Sequence, residues 1–207
     1  MTLPVKLAQG VEQLGVAVSP ETQQRLLQYV ALLQKWNKTH NLTAVREPLQ
    51  MVTRHVLDSL AVLPHLQGTR LIDVGTGAGL PGIPLALARP DLQVTLLDST
   101  HKKTVFLQQA CIELQLTNVS VVCERVEAFQ PQDKFDSVIS RAFSDLGEFV
   151  KLARHLCAPG GALLAMKGVY PYEELALLPA DVAVEQVIPL DVPGLKEQRH
   201  LVVIRTQ

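Results

Sequence analysis

The chain has no long apolar run, no leader pattern and almost no excess of charge of either sign. Nothing approaches the roughly 18 consecutive apolar residues of a membrane-crossing helix, and the first residues lack the basic-then-apolar order of a secretory leader. A cytoplasmic protein with no membrane partner is the expectation. Cysteine is scarce: Cys111, Cys123 and Cys157 are odd in number and never closely spaced, which fits neither a disulfide framework nor a zinc site. Each lies in or beside an apolar run, as free structural thiols do, and no metal site is expected. The formal net charge of -1 excludes the overall basic excess common in dedicated nucleic-acid binders, so any such contact has to be a local patch. Repeats, low-complexity tracts and long like-charge runs are also missing.

What is present divides into two patterns. The length of 207 residues suits one catalytic domain with a modest extension. Residues 1–67 read as a helical cap: Leu3, Leu7, Val11 and Leu14 share one helical face before Gly15, a natural stop. Ser19 and Pro20 form a cap and first-turn pair ahead of Leu26, Val30 and Leu33. A third face runs through Leu49, Val52, Val56, Leu60 and Leu63.

Residues 68–207 alternate strand-length apolar runs with amphipathic segments such as 101–116. The runs fall near 70–74, 93–98, 119–123, 135–140, 162–166, 183–190 and 200–205. Alternation of this kind predicts an α/β fold, a mostly parallel sheet with helices on both faces. The last two runs are joined by a short connection containing Pro193 and Gly194, too short for a crossover helix, so the last strand is expected to be antiparallel. Seven strands ordered in this way are the arrangement of the Rossmann-like class I methyltransferases.

The first strand runs into Asp73-Val74-Gly75-Thr76-Gly77-Ala78-Gly79-Leu80-Pro81-Gly82. Its Gly77-x-Gly79-x-x-Gly82 also matches a dinucleotide fingerprint, a weak signal alone. Asp73 decides between the two: a carboxylate at the loop mouth repels a pyrophosphate and attracts the ammonium and sulfonium of S-adenosyl-L-methionine; a glycine-rich turn whose aspartate caps the following helix is its other reading. Asp98, at the end of the second strand, is placed for two ribose hydroxyls; capping the next helix is its other reading. Arg141 and Lys167 follow the fourth and fifth strands, and Arg199 with His200 open the last, so all four belong at the ligand edge. There Arg141, Lys167 and Arg199 are positioning candidates for a substrate phosphate.

Pyrimidine C5 methylation needs a cysteine nucleophile, and no cysteine falls just beyond a predicted strand at that edge. Amine methylation commonly uses an Asp/Asn-Pro-Pro-aromatic motif where this chain has Ser140-Arg141-Ala142-Phe143. A guanine N7 carries a lone pair and no proton, so positioning supplies most of the acceleration. Phe143 is expected in the core, with base stacking as its other reading.

With these residues in hand, the chain resembles the bacterial 16S ribosomal RNA guanine-N7 methyltransferase family, also called glucose-inhibited division protein B. The blocks that carry the resemblance are Lys35-Trp36-Asn37-Lys38 with Asn41-Leu42-Thr43, Arg54-His55 with Leu57-Asp58-Ser59, Asp73 to Pro84, Ser140 to Phe143, Lys167-Gly168, and Arg199 to Ile204. The resemblance implies S-adenosyl-L-methionine as cofactor and 16S ribosomal RNA as partner, with nucleotide 527 as target. A small ribosomal subunit or an assembly intermediate is the expected context, and the enzyme is expected to be a monomer. It further implies that Gly75 and Leu80 contact the cofactor, with Gly77 and Gly79 in the same loop, that the main chain at Val126 and Glu127 meets its adenine, and that Arg141 lies at the cofactor site. Ala78 stands where the family often has proline, which loosens the turn. In the cap, Trp36 is expected to pack against the sheet domain, Lys35 and Lys38 are open to RNA, and an Arg54–Asp58 helical pair is expected to brace the cap. Two other functions stay open: methyl transfer to a small molecule or protein, and a nucleotide-sensing module without chemistry.

Overall fold

A computed structural model describes residues 1–143 and 145–205. Thr206 and Gln207, the end of the expected second segment, lie outside the described residues. The seven expected strands form one sheet: β1 Arg70–Val74, β2 Gln93–Asp98, β3 Val119–Cys123, β4 Phe135–Ser140, β5 Cys157–Lys167, β6 Ala183–Pro189 and β7 His200–Arg205. Their order is β3-β2-β1-β4-β5-β7-β6, and β7 alone runs against its neighbours. This is the class I methyltransferase arrangement. Strand β5 begins five residues before the run that marks it in the sequence. Gly160, at φ +75°, and Gly161 interrupt its apolar pattern where the β4–β5 register shifts, and a side chain at Gly161 would sit 2.9 Å from the Asp136 carbonyl.

The first two helices follow their sequence signals. Helix α1, Leu3–Leu14, ends on Gly15 at φ +66°, and α2, Pro20–His40, starts with the Ser19 hydroxyl accepting from the Thr22 amide at 3.1 Å. The third does not keep its period. Helix α3, Pro48–Met51, passes into a π-helical turn, Val52–Leu57, and then α4, Asp58–Leu60. Of the expected face Val52, Val56 and Leu60 are fully buried, Leu63 is partly buried and Leu49 is exposed, and the wider turn brings Met51 and Leu57 into the core beside them.

The helices α5, Gly82–Ala88, and α6, His101–Glu113, lie on the same side of the sheet as this cap. Leu7, Leu26, Leu33 and Leu57 share a single apolar cluster with Ile83, Leu85, Phe106 and Leu201. Helix α7, Leu146–Ala153, closes the other face, where Phe149 packs with Ile72, Val138 and Leu163. The short α8, Tyr172–Ala176, follows β5. No described helix is long and apolar enough to cross a membrane.

Candidate active site

Three cavities line the carboxyl ends of the parallel strands, and they share walls. The first, about 290 Å³, is bounded by Val74 and Gly75 from β1 and its loop, Asp98 to Thr100 after β2, Glu124 to Glu127 after β3, and Ala142 and Phe143 after β4. The second, about 180 Å³, adds Leu42 and Thr43 of the cap to Gly75, Gly77, Ala78 and Leu80. Gly75 and Ala142 border both. The third, about 360 Å³, is lined by Val45, Arg54, His55 and Asp58 of the cap with Arg141, Met166, Lys167, Gly168 and Arg199. Arg141 is common to the second and third.

The loop that shapes the first two cavities is held from behind. The Gly75 and Thr76 amides donate to the Leu97 carbonyl at 2.8 and 3.1 Å, and Gly75, Gly77 and Gly79 all have positive φ, which a Cβ penalises. At Gly75 an added Cβ would also lie 2.8 Å from the Ala142 Cβ, across the boundary between the two cavities. Asp73 does not reach either cavity wall. It is fully buried, and its Oδ2 accepts from the Thr76 hydroxyl at 2.6 Å and the Gly82 amide at 2.8 Å. Burial pushes its carboxyl up to about 6 against those two bonds, while Oδ1 has no partner. Gly79 packs against Ile83 and Leu107 and also stays out of the walls.

Asp98 does line the first cavity, 5% exposed. Its oxygens accept from the Gly77 amide and the Thr100 amide, each at 2.9 Å, and Lys103 stands 3.6 Å away. It therefore ties the glycine loop to the start of α6 as well as facing the cavity. Val126 and Glu127 line the same cavity, and Phe143 packs on Phe149 at 5.3 Å, as its core reading expects, while bordering the cavity.

In the third cavity one carboxylate organises two arginines. Asp58, 1% exposed, accepts from Arg141 at 3.1 Å on Oδ2 and from Arg199 at 3.0 Å on Oδ1. The expected Arg54–Asp58 pair does not form, because the π turn displaces the helical spacing and Asp58 faces inward. Arg54 bonds Glu197 and Gln50 instead. Lys167 is 9% exposed, with its ammonium 2.6 Å from Glu174 and 3.3 Å from the Phe143 carbonyl. Glu174 also accepts from the Leu146 amide at 2.8 Å, so α8 fastens the end of β5 to the start of α7. His200 bonds the Gly168 carbonyl at 2.8 Å.

His55 is the third cavity's imidazole. Burial and the nearby Arg141 lower it to about 4. Its Nδ1 meets the Arg54 carbonyl at 3.0 Å and its Nε2 the Thr43 hydroxyl at 2.8 Å, so Nδ1 carries the hydrogen and Nε2 accepts. Both nitrogens are occupied.

The cap residues divide by burial. Trp36 packs on Phe106 at 5.6 Å and His40 at 4.8 Å. Asn37 exchanges two bonds with the Thr43 main chain, each 2.9 Å. Tyr29 donates to the Ala78 carbonyl at 2.7 Å, its phenol raised by burial. Val45 and Tyr29 have no chemical signature of their own in the sequence, and Thr43 and Asp58 stand in resemblance blocks that do not reveal their partners here; the roles of all four come from contacts across the fold. Cys123 ends β3 at the ligand edge and is exposed, but borders none of the three cavities; Cys111 is half-buried with its thiol pushed up to about 11, and Cys157 is buried. Among the described residues no acidic, histidine or cysteine cluster suits a metal.

A family model described as rRNA small subunit methyltransferase G matches residues 22–202. Proteins named ribosomal RNA small subunit methyltransferase G are 58% identical in Nitrosospira multiformis, over 99% of this chain and 98% of the relative, and 60% identical in Chromobacterium violaceum, over 98% of each. Among solved structures, a SAM dependent methyltransferase from Aquifex aeolicus aligns with TM-score 0.62 at 18% identity, over 83% of this chain and 97% of that one. The glycopeptide N-methyltransferase MtfA aligns with TM-score 0.62 at 14% identity, over 78% and 100%. At such identities these two likenesses bear on the fold alone.

Proposed function

Because the chain belongs to the rRNA small subunit methyltransferase G family, we propose that it carries a methyl group from S-adenosyl-L-methionine to N7 of a guanine in 16S ribosomal RNA, at the family's nucleotide 527. The coarser activity, methylation of ribosomal RNA, follows from membership. The choice of N7 rests on one observation: in the third cavity, read here as the acceptor cavity, every described side chain able to act as a base is already engaged. The Asp58 carboxylate holds two arginines, and His55 has both nitrogens bonded. An acceptor that must lose a proton during the transfer would lack a base there; a guanine N7 needs none.

The cleft suits the cofactor on three counts. Asp73, with its Oδ1 unpartnered, places a buried carboxylate behind the loop, Gly75 leaves open the passage that a Cβ would narrow, and Asp98 offers a carboxylate to a ribose. Asp98 with the chain at Val126 and Glu127 would hold the nucleoside, and the loop from Gly75 to Leu80 the amino-acid part. When bound, the cofactor supplies an electrophilic methyl on a sulfonium. The chain's own residues bind and orient: Arg141, shared by the second and third cavities and fixed by Asp58, stands between donor and acceptor, and the substrate side is framed by Arg199 and Lys167. Incubating the protein with S-adenosyl-L-methionine and unmodified 16S RNA, or small subunits carrying it, and digesting to nucleosides tests the assignment through the appearance of 7-methylguanosine. A monomer in the cytoplasm acting on a ribosomal subunit or its precursor is part of the same reading.

A further inference from the structure

The ion pairs separate cations that are free to meet a phosphate from cations that are not. Around the acceptor cavity Arg54 pairs with Glu197, Arg141 and Arg199 with Asp58, and Lys167 with Glu174. Four cations against three carboxylates leave a single positive charge in excess. Each has a carboxylate to compete with before it can neutralise RNA.

A different cavity, of about 210 Å³, begins one residue further along the chain: Val45 lines the acceptor cavity, and Arg46 lines this one with Gln34, Asn37, Lys38 and Met51. Lys38 and Arg46 are both exposed, and among the described residues neither is in ion-pairing distance of a carboxylate. Their mounting is rigid. Lys38 is on α2, and the segment carrying Arg46 is clamped to that helix by Asn37, 4% exposed, which bonds the Thr43 amide and carbonyl at 2.9 Å and the Val45 carbonyl at 3.4 Å. Unpaired cations that displace condensed counterions give affinity without sequence preference, and phosphate contacts set the register in which a base is presented.

We propose that Lys38 and Arg46 form the docking site for the sugar-phosphate backbone beside the target nucleotide, while the paired arginines of the acceptor cavity orient the nucleotide itself. This inference rests on the reading of RNA as substrate. It assigns the salt-dependent part of RNA binding to the helical cap, away from the strand-end rim of Lys167 and Arg199.

The test is affinity for unmodified 16S ribosomal RNA across about 50 to 200 mM salt, for the wild type, a Lys38→Ala/Arg46→Ala double variant and Lys134→Ala. Lys134 is exposed and immediately precedes β4, at the amino end of the parallel strands and so away from the carboxyl ends that carry the cavities. At about 0.7 to 0.9 per phosphate, the double variant should lose about 1.5 of log-log salt slope and about 30-fold in affinity near 0.1 M salt. Lys134→Ala should match the wild type, and all three should bind S-adenosylhomocysteine equally. A double variant with the wild-type slope, or a loss shared equally by Lys134→Ala, overturns the proposal. Because binding is read directly, a wild type that binds RNA but makes no 7-methylguanosine removes the functional reading and leaves this one to be decided by the slopes.

Discussion

The buried carboxylate of Asp58 holds the guanidinium of Arg141 at 3.1 Å, although 83 residues separate them, and so fixes the cation that, among the described residues, borders both the second and the third cavity. The same carboxylate takes Arg199 on its other oxygen at 3.0 Å. Two arginines are thereby set at a defined spacing by a group that itself stays out of water.

Asp58→Ala should release both arginines. Breaking one side of a buried ion pair costs about 3 kcal/mol of folding stability, and misplacing the positioning cation should slow methyl transfer about 100-fold. Denaturant unfolding and single-turnover transfer at a temperature where the variant is folded check the two effects. A variant with a wild-type transfer rate would show that Arg141 and Arg199 need no fixed spacing.

Asp73 has an ordinary value of 3.8 and is pushed up to about 6 by burial, so the native chain holds this proton more tightly than the unfolded chain. The stability contributed by the protonated form is full below 3.8 and is lost as the pH rises through about 6. At about 1.4 kcal/mol per unit, roughly 3 kcal/mol separates the two ends of that window. Wild type should therefore lose stability from pH 4 to 6 relative to Asp73→Asn. Cations of the bound cofactor favour the ionised form, so affinity for S-adenosyl-L-methionine should rise with pH over the same window and do so less in the variant. Parallel unfolding curves and parallel affinities would remove the charge of Asp73 from the account.

Gly75→Ala meets strain from its positive φ and a contact of 2.8 Å with the Ala142 Cβ, of which the backbone part is about 1 kcal/mol. Because that Cβ would enter the boundary of two cavities, cofactor affinity should fall by more than tenfold, a larger effect than the loss of stability suggests. Calorimetric titration with S-adenosylhomocysteine reads the first and thermal unfolding the second.

The cysteines should be chemically idle. Replacing Cys111, Cys123 and Cys157 by alanine costs stability mainly at buried Cys157 and should leave single-turnover transfer within about twofold, since no thiol borders the three cavities. Loss of transfer with intact cofactor binding would restore a thiol mechanism.

Much of this was legible in the chain because local patterns carried it. Six of the seven strands stand within one residue of their apolar runs; β5 was cut short because Gly160 and Gly161 hide its first residues. The glycine loop and Asp98 announced themselves through residue type and position. What stayed hidden depends on distant partners. Nothing near Asp58 in sequence points to Arg141 or Arg199, and the π turn at Val52–Leu57, which turns Asp58 inward and Arg54 outward, has no composition signal. Residue type placed Lys167 among basic rim candidates, but only the fold reveals Glu174 against it. The free cations of the cap look no different in sequence from the paired ones.

The most direct measurement is the nucleoside mass profile of small-subunit RNA from a strain lacking this protein, before and after treatment with the purified protein and S-adenosyl-L-methionine. The account predicts that one 7-methylguanosine is missing before treatment and restored at nucleotide 527 afterwards. A methyl group restored on another atom or another nucleotide, or an unchanged 7-methylguanosine content in the deletion strain, would contradict it.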